Sequence, residues 1–142
     1  MYRKILIALD NSPADESILP HAVEIALRFG SEILLLHVAD GFAARYFDQL
    51  KLAESEEIKA DREYLETIAG RLRQKKLPVE TKLALGNPPT EILKAAVDEK
   101  CDLIAMAGHG HRLFGDIFHG STITEVRHKT SIPLLVVRGH KK

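Results

Sequence analysis

The sequence predicts a doubly wound α/β domain, in which helices cover both faces of a five-stranded parallel sheet. Short, almost uninterrupted apolar runs, typical of strands buried on both sides, recur along the chain. They alternate with longer segments whose apolar residues repeat at helical spacing. Parallel strands joined by helices cross over in a right-handed sense, so this alternation places helices on both faces of the sheet.

Five segments are predicted as strands, and the first and second are the most continuous apolar runs. The third alternates apolar and polar residues and ends at a turn that contains Gly86, Asn87, Pro88 and Pro89. The predicted strands cover residues 5–9, 33–38, 79–85, 103–107 and 134–137.

The connecting segments are predicted as helices. In the first, Pro20 indicates a bend or a late start, because proline lacks an amide proton and clashes with the preceding turn. The second runs from about residue 52 to 75 and is expected to cover the sheet with one apolar face. The residues on these two apolar faces are Ile18, Ala22, Ile25, Ala26 and Phe29, and then Ile58, Leu65, Ile68 and Leu72. A third helix carries Ile92, Leu93, Ala96 and Val97.

Composition indicates a single domain over residues 1–142. A chain of this length with 45% hydrophobic residues buries roughly two-thirds of its unfolded surface. Twenty Lys and Arg balance 20 Asp and Glu, which argues against general binding to nucleic acid. No apolar run approaches the ~18 residues that cross a bilayer, and the first residues lead into a strand rather than a signal peptide. We therefore expect a cytoplasmic protein without a membrane partner.

The most informative segment follows the fourth predicted strand. Gly108, His109 and Gly110 are expected to stop this strand, and Gly120 and Ser121 follow after nine residues. Either Ser121 or Thr122 is suited to cap the N-terminus of the next helix. A glycine turn and a helix N-terminus both present backbone N–H groups, so they favour a phosphate ligand.

This segment resembles the nucleotide motif of the universal stress protein family, Gly-x-x-Gly-x9-Gly-Ser/Thr. In this sequence Ala107 replaces the first glycine, and Gly110, Gly120 and Ser121 occupy the remaining positions. The resemblance extends over nearly the whole chain, including residues 4–10, 34–38, the turn at 86–88 and the closing segment 132–137. It implies the strand order 3-2-1-4-5, whose winding reverses between strands one and four. Ligands of open α/β sheets lie beyond the carboxyl ends of the strands at such a reversal.

The resemblance also implies a set of binding residues. Asp10 and the backbone of Val38 would contact adenine, Ala107 would lie beside the ribose, and Gly110, Gly120, Ser121 and Thr122 would surround the phosphates. Separately from the family, the planar guanidinium of Arg112 is suited to hold phosphate oxygens. Read without the family, Asp10 is equally suited to cap a helix, Val38 is a core residue, and each glycine is an ordinary turn. The full set is Asp10, Val38, Ala107, Gly108, His109, Gly110, Arg112, Gly120, Ser121 and Thr122.

The histidines and the cysteine do not form a recognisable metal site. His109, His111 and His119 lack the spacing and the cysteine partners of a zinc centre, so neither a dedicated metal site nor a catalytic residue is assigned. His37 interrupts an apolar strand and is expected to be a hydrogen-bonded core histidine. Cys101, the single cysteine, is expected to be buried and structural.

The predicted function is that of a stress-response or energy-status regulator that binds ATP, or ADP or AMP, with little or no hydrolysis. Mg²⁺ or Mn²⁺ is the candidate accompanying ion. Leu134 to Val137 form an apolar strand at the implied sheet edge, which favours a homodimer through the last strand. Two alternatives stay open: a slow ATP hydrolase or adenylyl-transfer enzyme of a related fold, and a nucleotide-free dimeric interaction module.

Overall fold

The computed structural model describes residues 1–39, 51–109 and 120–139. They form five parallel strands in the order β3-β2-β1-β4-β5 and four helices. The predicted fold class and strand order are therefore confirmed. In chain order the elements are β1 (Lys4–Leu9), α1 (Asp15–Phe29), β2 (Glu32–Ala39), α2 (Lys51–Arg73), β3 (Val79–Leu85), α3 (Pro88–Asp98), β4 (Leu103–His109), α4 (Gly120–Lys129) and β5 (Leu134–Gly139).

The central strands are apolar on both sides because both faces of the sheet are covered. On one face, α1 and α2 pack on alternate strand residues such as Ile7 and Leu35, and we call this cluster the α1/α2 core. On the other face, α3 and α4 pack on residues such as Leu36 and Ile104, and we call this cluster the α3/α4 core. The side chains of one strand therefore divide between two cores, as the continuous apolar runs predict.

The predicted apolar faces of the helices are largely correct. Ile58, Leu65, Ile68 and Leu72 of α2 are each at most 3% exposed, so this helix covers the sheet as expected. Two predicted face residues are instead on the surface: Phe29 at the end of α1 and Val97 at the end of α3 are 52% and 68% exposed. Phe29 packs its ring edge-to-face on Tyr2.

Helix α1 is continuous from Asp15 to Phe29 and includes Pro20, so the late start that proline suggested is wrong. Gly30 ends the helix in the left-handed conformation at φ 67°, with its N–H bonded to the carbonyl of Ala26. Glycine adopts this conformation without the steric cost that a Cβ imposes.

Strand β4 does not stop at Ala107 as the glycine pattern suggested, but continues through Gly108 to His109. Both residues pair with β5, Gly108 with Arg138 and His109 with Gly139. Gly108 lies in a closely packed part of the strand rather than in a turn. A Cβ at this position would lie 3.1 Å from Cδ1 of Ile123 and 3.3 Å from Cγ1 of Val136.

Candidate functional site

The carboxyl ends of β1, β2 and β4 meet at the point where the winding of the sheet reverses. Leu9 pairs with His37 of β2, and Ala8 pairs with Met106 of β4. The residues that follow these pairs therefore reach the same edge of the sheet. These are Asp10, Val38, Ala107 and Gly108, four of the residues predicted to bind a ligand.

The side chains of Val38 and Ala107 are turned into the protein rather than toward this edge. Val38 is fully buried in the α3/α4 core, as its interpretation as a core residue predicted, and a backbone contact with a ligand stays a prediction. The methyl group of Ala107 packs in the α1/α2 core, and the residue is 3% exposed. His109 is the last residue of β4 at the same edge.

Helix α4 begins at Gly120, so Ser121 and Thr122 lie in its first turn, and their predicted role as the N-cap is wrong. The backbone N–H groups at the start of a helix have no carbonyl partner within the helix. Gly120, Ser121 and Thr122 thus lie at the first described residues of α4, and their role in binding a phosphate stays a prediction. Gly110 and Arg112, with His111 and His119, lie outside the described residues.

The turn after β1 is held by a carboxylate that the sequence analysis did not select. Asp15, in the first turn of α1, accepts the backbone N–H of Asp10 on Oδ1 at 3.1 Å and that of Asn11 on Oδ2 at 2.9 Å. Tyr64 of α2 donates its hydroxyl to the same Oδ2 at 2.5 Å. Three donors therefore converge on one carboxyl group that is 1% exposed.

Asp10 itself supports the start of α1 through Ser12. The Ser12 hydroxyl donates to Oδ1 of Asp10 at 2.5 Å and accepts the backbone N–H of Ala14 at 3.2 Å. The N-cap of α1 is Ala14, so Asp10 does not itself cap the helix, and its carboxylate contacts the helix entrance through the Ser12 hydroxyl. Asn11 between them adopts the left-handed conformation at φ 60°, which asparagine tolerates better than most residues.

Two further polar side chains, His37 of β2 and Asp61 of α2, contact the same turn. Nδ1 of His37 lies 2.9 Å from the carbonyl oxygen of Leu9, and Nε2 lies 3.2 Å from Oδ2 of Asp61. The other oxygen of Asp61 accepts a hydrogen bond from the side-chain amide of Asn11 at 3.3 Å. His37 is 4% exposed, so its prediction as a hydrogen-bonded core histidine is confirmed.

Burial and charge set the acid–base properties of this turn. Burial raises the pKa of the Asp15 carboxyl to about 7, and the nearby Asp10 carboxylate adds to the increase, while the hydrogen bond from Tyr64 opposes it. Burial, together with the charge of Asp15, raises the pKa of the Tyr64 hydroxyl well above its usual value, so that Tyr64 remains a donor. At the opposite end of the sheet, burial raises the pKa of the Cys101 thiol to about 11, which fits the predicted structural role.

The contact between His37 and Asp61 could have been predicted from the sequence. Asp61 falls between Ile58 and Leu65 on the apolar stripe of α2, and His37 interrupts the apolar run of β2. A buried polar side chain needs a partner, so two such interruptions in neighbouring elements point to each other. Asp15 gave a weaker signal, because an acidic residue in the first turn of a helix is common on electrostatic grounds alone.

The described residues contain neither a metal-binding cluster nor a membrane-spanning helix. No group of three or more of their His, Cys, Asp or Glu side chains is arranged to hold a metal ion. Within the same residues, no helix is long and apolar enough to cross a membrane.

Comparison with known proteins identifies the family. Residues 1–138 match the Universal stress protein family. The chain belongs to this family. Universal stress protein MJ0577 of Methanocaldococcus jannaschii is 31% identical over 158 aligned positions, which cover 97% of this chain and 96% of that protein.

Solved structures agree with this assignment. The structure of MJ0577 superposes with a TM-score of 0.83 at 28% identity and covers 100% of this chain and 99% of its own. Two more distant structures share the fold of this universal stress protein family member. One, from Archaeoglobus fulgidus, is a complex with dAMP, with a TM-score of 0.72, 23% identity and coverage of 96% and 98%. The other is a complex with cAMP, with a TM-score of 0.67, 16% identity and coverage of 96% and 97%.

Proposed function

We propose that this universal stress protein family member binds an adenine nucleotide, with ATP as the preferred ligand, at the carboxyl edge between β1 and β4. The observation that carries the proposal is the meeting of Asp10, Val38 and Gly108 at the reversal point of the sheet. The dAMP and cAMP of the two solved complexes both contain adenine, which supports this choice of ligand.

The described residues fit the two chemically distinct ends of such a ligand. Adenine carries an exocyclic amine that donates hydrogen bonds, and the Asp10 carboxylate and the Val38 carbonyl are acceptors at one end of the edge. The phosphates carry negative charge, and the N-terminus of α4 at Gly120 presents backbone N–H groups and the positive end of the helix dipole. Gly110, from the family motif, and Arg112, from its planar guanidinium, stay predicted ligands of the phosphates.

The proposed role is regulatory rather than catalytic, with nucleotide occupancy reporting stress or energy status. Fast hydrolysis needs a positioned base and charge stabilisation at the phosphates. The buried groups nearest Asp10 are instead engaged in holding the turn: Asp15 accepts three hydrogen bonds, and Tyr64 donates one of them. We further propose that the protein is a homodimer through β5, which lies at the edge of the sheet.

The test begins with the purified protein and mass spectrometry of its acid-released ligand, followed by calorimetry with ATP, ADP, AMP, cAMP and GTP. We expect binding of ATP and no binding of GTP. Asp10→Ala should weaken ATP binding by roughly tenfold or more, since it removes a charged acceptor. Asp98→Ala, at the exposed end of α3, is the control and should leave the affinity unchanged.

Two outcomes contradict the proposal. Many turnovers of phosphate or adenylate release with Mg²⁺ or Mn²⁺ would identify an enzyme. The absence of both a co-purified nucleotide and measurable ATP binding would identify an interaction module.

A further inference from the structure

The turn after β3 lies beside the end of β2, at the edge of the sheet where the proposed ligand binds. The backbone N–H of Gly86 donates to the carbonyl oxygen of Ala39 at 3.4 Å, and Ala39 directly follows Val38 in β2. Gly86 has a φ of 142°, which residues with a Cβ rarely adopt. Because β2 lies between β1 and β3, this turn flanks the proposed adenine end on the side away from Asp10.

The side chain of Glu91, in the first turn of α3, folds over this glycine. Its Oε2 lies 3.2 Å, and its Cγ 3.4 Å, from the place that a Cβ on Gly86 would take. Glycine at position 86 therefore leaves room for a carboxylate at the end of β3. A side chain at this position would push the carboxylate away.

The Glu91 carboxylate has no partner within the part of the chain that the structure describes. The backbone N–H of Glu91 donates to the carbonyl of Asn87 at 2.9 Å, but no described group donates to its carboxylate oxygens. The start of α3 does not need them as a cap, because Pro88 and Pro89 carry no N–H. An acid in the first turn interacts favourably with the helix dipole, but that interaction does not hold the side chain over Gly86. The acceptor oxygens are thus available to a ligand.

The two helix N-termini at this edge differ in chemistry. Helix α3 begins with two prolines and has the Glu91 carboxylate in its first turn, so it offers an acceptor and negative charge. The described start of α4 has no acidic residue in its first turn, and Gly120, Ser121 and Thr122 each carry an N–H. An adenine nucleotide has a matching polarity, with a donor amine at one end and phosphates at the other. The edge therefore favours a ligand whose base lies toward β3 and whose phosphates lie toward α4.

We propose that Glu91 determines the preference for adenine at the proposed nucleotide site by accepting one hydrogen of the exocyclic amine. The amine has two hydrogens, so Glu91 on the β3 side and the proposed acceptors Asp10 and Val38 on the other side bind it together. Guanine carries a carbonyl oxygen at this position, which would face the carboxylate and leave two acceptors without a donor. This inference rests on the function proposed above, since it concerns the base of the same ligand.

The test is a cycle of two ligands and two proteins, measured by calorimetry. The ligands are ATP and purine riboside triphosphate, which differs from ATP only in lacking the amine. The proteins are the wild type and Glu91→Ala. We expect Glu91→Ala to weaken ATP binding by roughly tenfold and to leave the affinity for the ligand without the amine unchanged. Glu91→Gln keeps one neutral acceptor oxygen and should restore part of the preference for ATP.

Glu16→Ala is the matched control, because it removes an acid from the first turn of α1, where Glu16 is paired with Arg71. It should leave the ratio of the two affinities unchanged. If this ratio is the same in Glu91→Ala and the wild type, Glu91 does not contact the amine, and the inference fails while the nucleotide site stands. If the wild type binds neither ligand, the function proposed above fails, and this inference fails with it.

Discussion

Gly139, the last residue of β5, packs directly against Ala14 at the entrance to α1. A Cβ placed on Gly139 would lie 2.9 Å from Cβ of Ala14 and 3.3 Å from the carbonyl oxygen of Gly108. The edge strand of the sheet therefore touches both the turn that carries Asp10 and the end of β4. The proposed dimer strand and the proposed nucleotide site meet at this contact.

Gly139→Ala should consequently destabilise the fold and weaken nucleotide binding. The Ala14 methyl group and the Gly108 backbone have to move apart, which we expect to cost about 1–3 kcal/mol of unfolding free energy. Gly70→Ala is the matched control, because nothing lies within 4 Å of a Cβ at Gly70 in helix α2. That variant should gain about 0.5–1 kcal/mol from helix propensity. Urea unfolding with calorimetry checks both, and equal stability of Gly139→Ala and the wild type would exclude the contact.

The contrast between these two glycines illustrates what local sequence patterns can and cannot predict. Periodicity located all five strands: the central strands bury residues in both cores and form continuous apolar runs, whereas β3 alternates apolar and polar residues. The family resemblance implied the strand order, which depends on contacts between distant segments. The predicted end of β4 at residue 107 was wrong, because Gly108 was interpreted as part of a turn. In the fold Gly108 instead lies within β4, close to the side chains of Ile123 and Val136, and no local pattern reveals this proximity.

In the candidate site, too, some residues could be predicted from local sequence patterns and others could not. Asp10 and Gly108 were found because strand ends and glycines are local features. Asp15 was missed because its role is to accept backbone N–H groups, including that of Asn11, which no residue pattern marks. Asp61 was missed because its partner, the side chain of Asn11, is distant from it in sequence. A buried carboxylate is identified by its hydrogen-bond partners. Those partners are known only once the three-dimensional structure shows which residues lie close together.

Ser121→Ala should weaken ATP binding by roughly ten- to a hundredfold, because a hydroxyl hydrogen bond to a charged group contributes about 1.5–3 kcal/mol. Gly120→Val should also weaken it by preventing close approach of the ligand to the helix backbone. Thr90→Ala removes a hydroxyl from the first turn of α3 and serves as the control. If calorimetry finds unchanged ATP affinity in both α4 variants, the phosphates do not bind at the N-terminus of this helix.

Ala107→Gly addresses the departure from the family motif. If the extra methyl group restricts the approach to the ribose, its removal should tighten nucleotide binding, by less than about tenfold because the methyl group already packs in the α1/α2 core. Loss of this buried group should also lower stability by about 1 kcal/mol. Calorimetry and urea unfolding measure the two effects separately. Unchanged or weaker affinity would show that position 107 is no obstacle to the ligand.

The stability of the protein should fall as pH rises from about 4 to about 7 through Asp15, whose pKa increases from the ordinary 3.8 to about 7 on folding. Between these values the folded state binds more protons than the unfolded chain, so raising the pH favours unfolding, by up to about 1.4 kcal/mol per pH unit. Above about pH 7 this contribution is constant. Urea unfolding of the wild type and Asp15→Asn at pH 5 and pH 8 tests it. The wild type should lose more stability between the two, and equal losses would contradict the raised pKa.

The homodimer prediction concerns the exposed edge of β5. In the described part of the chain this strand pairs with β4 on one side, and no strand lies on its other side. Val136 is 43% exposed there, and an apolar strand with unpaired backbone groups favours pairing with a second copy. Light scattering should therefore find a dimer.

Replacing Leu135 with Lys and Val137 with Pro should give a monomer, because proline cannot donate a hydrogen bond to a partner strand. Both side chains also pack against the α1/α2 core, so this double variant risks unfolding. Val136 belongs to neither core, so Val136→Lys should separate the dimer while the circular dichroism spectrum stays native. Val97→Lys adds the same charge at an exposed valine of α3 and should leave the dimer intact. A wild type that is monomeric at working concentration would show that there is no dimer. A dimer that persists in both β5 variants would show that the interface lies elsewhere.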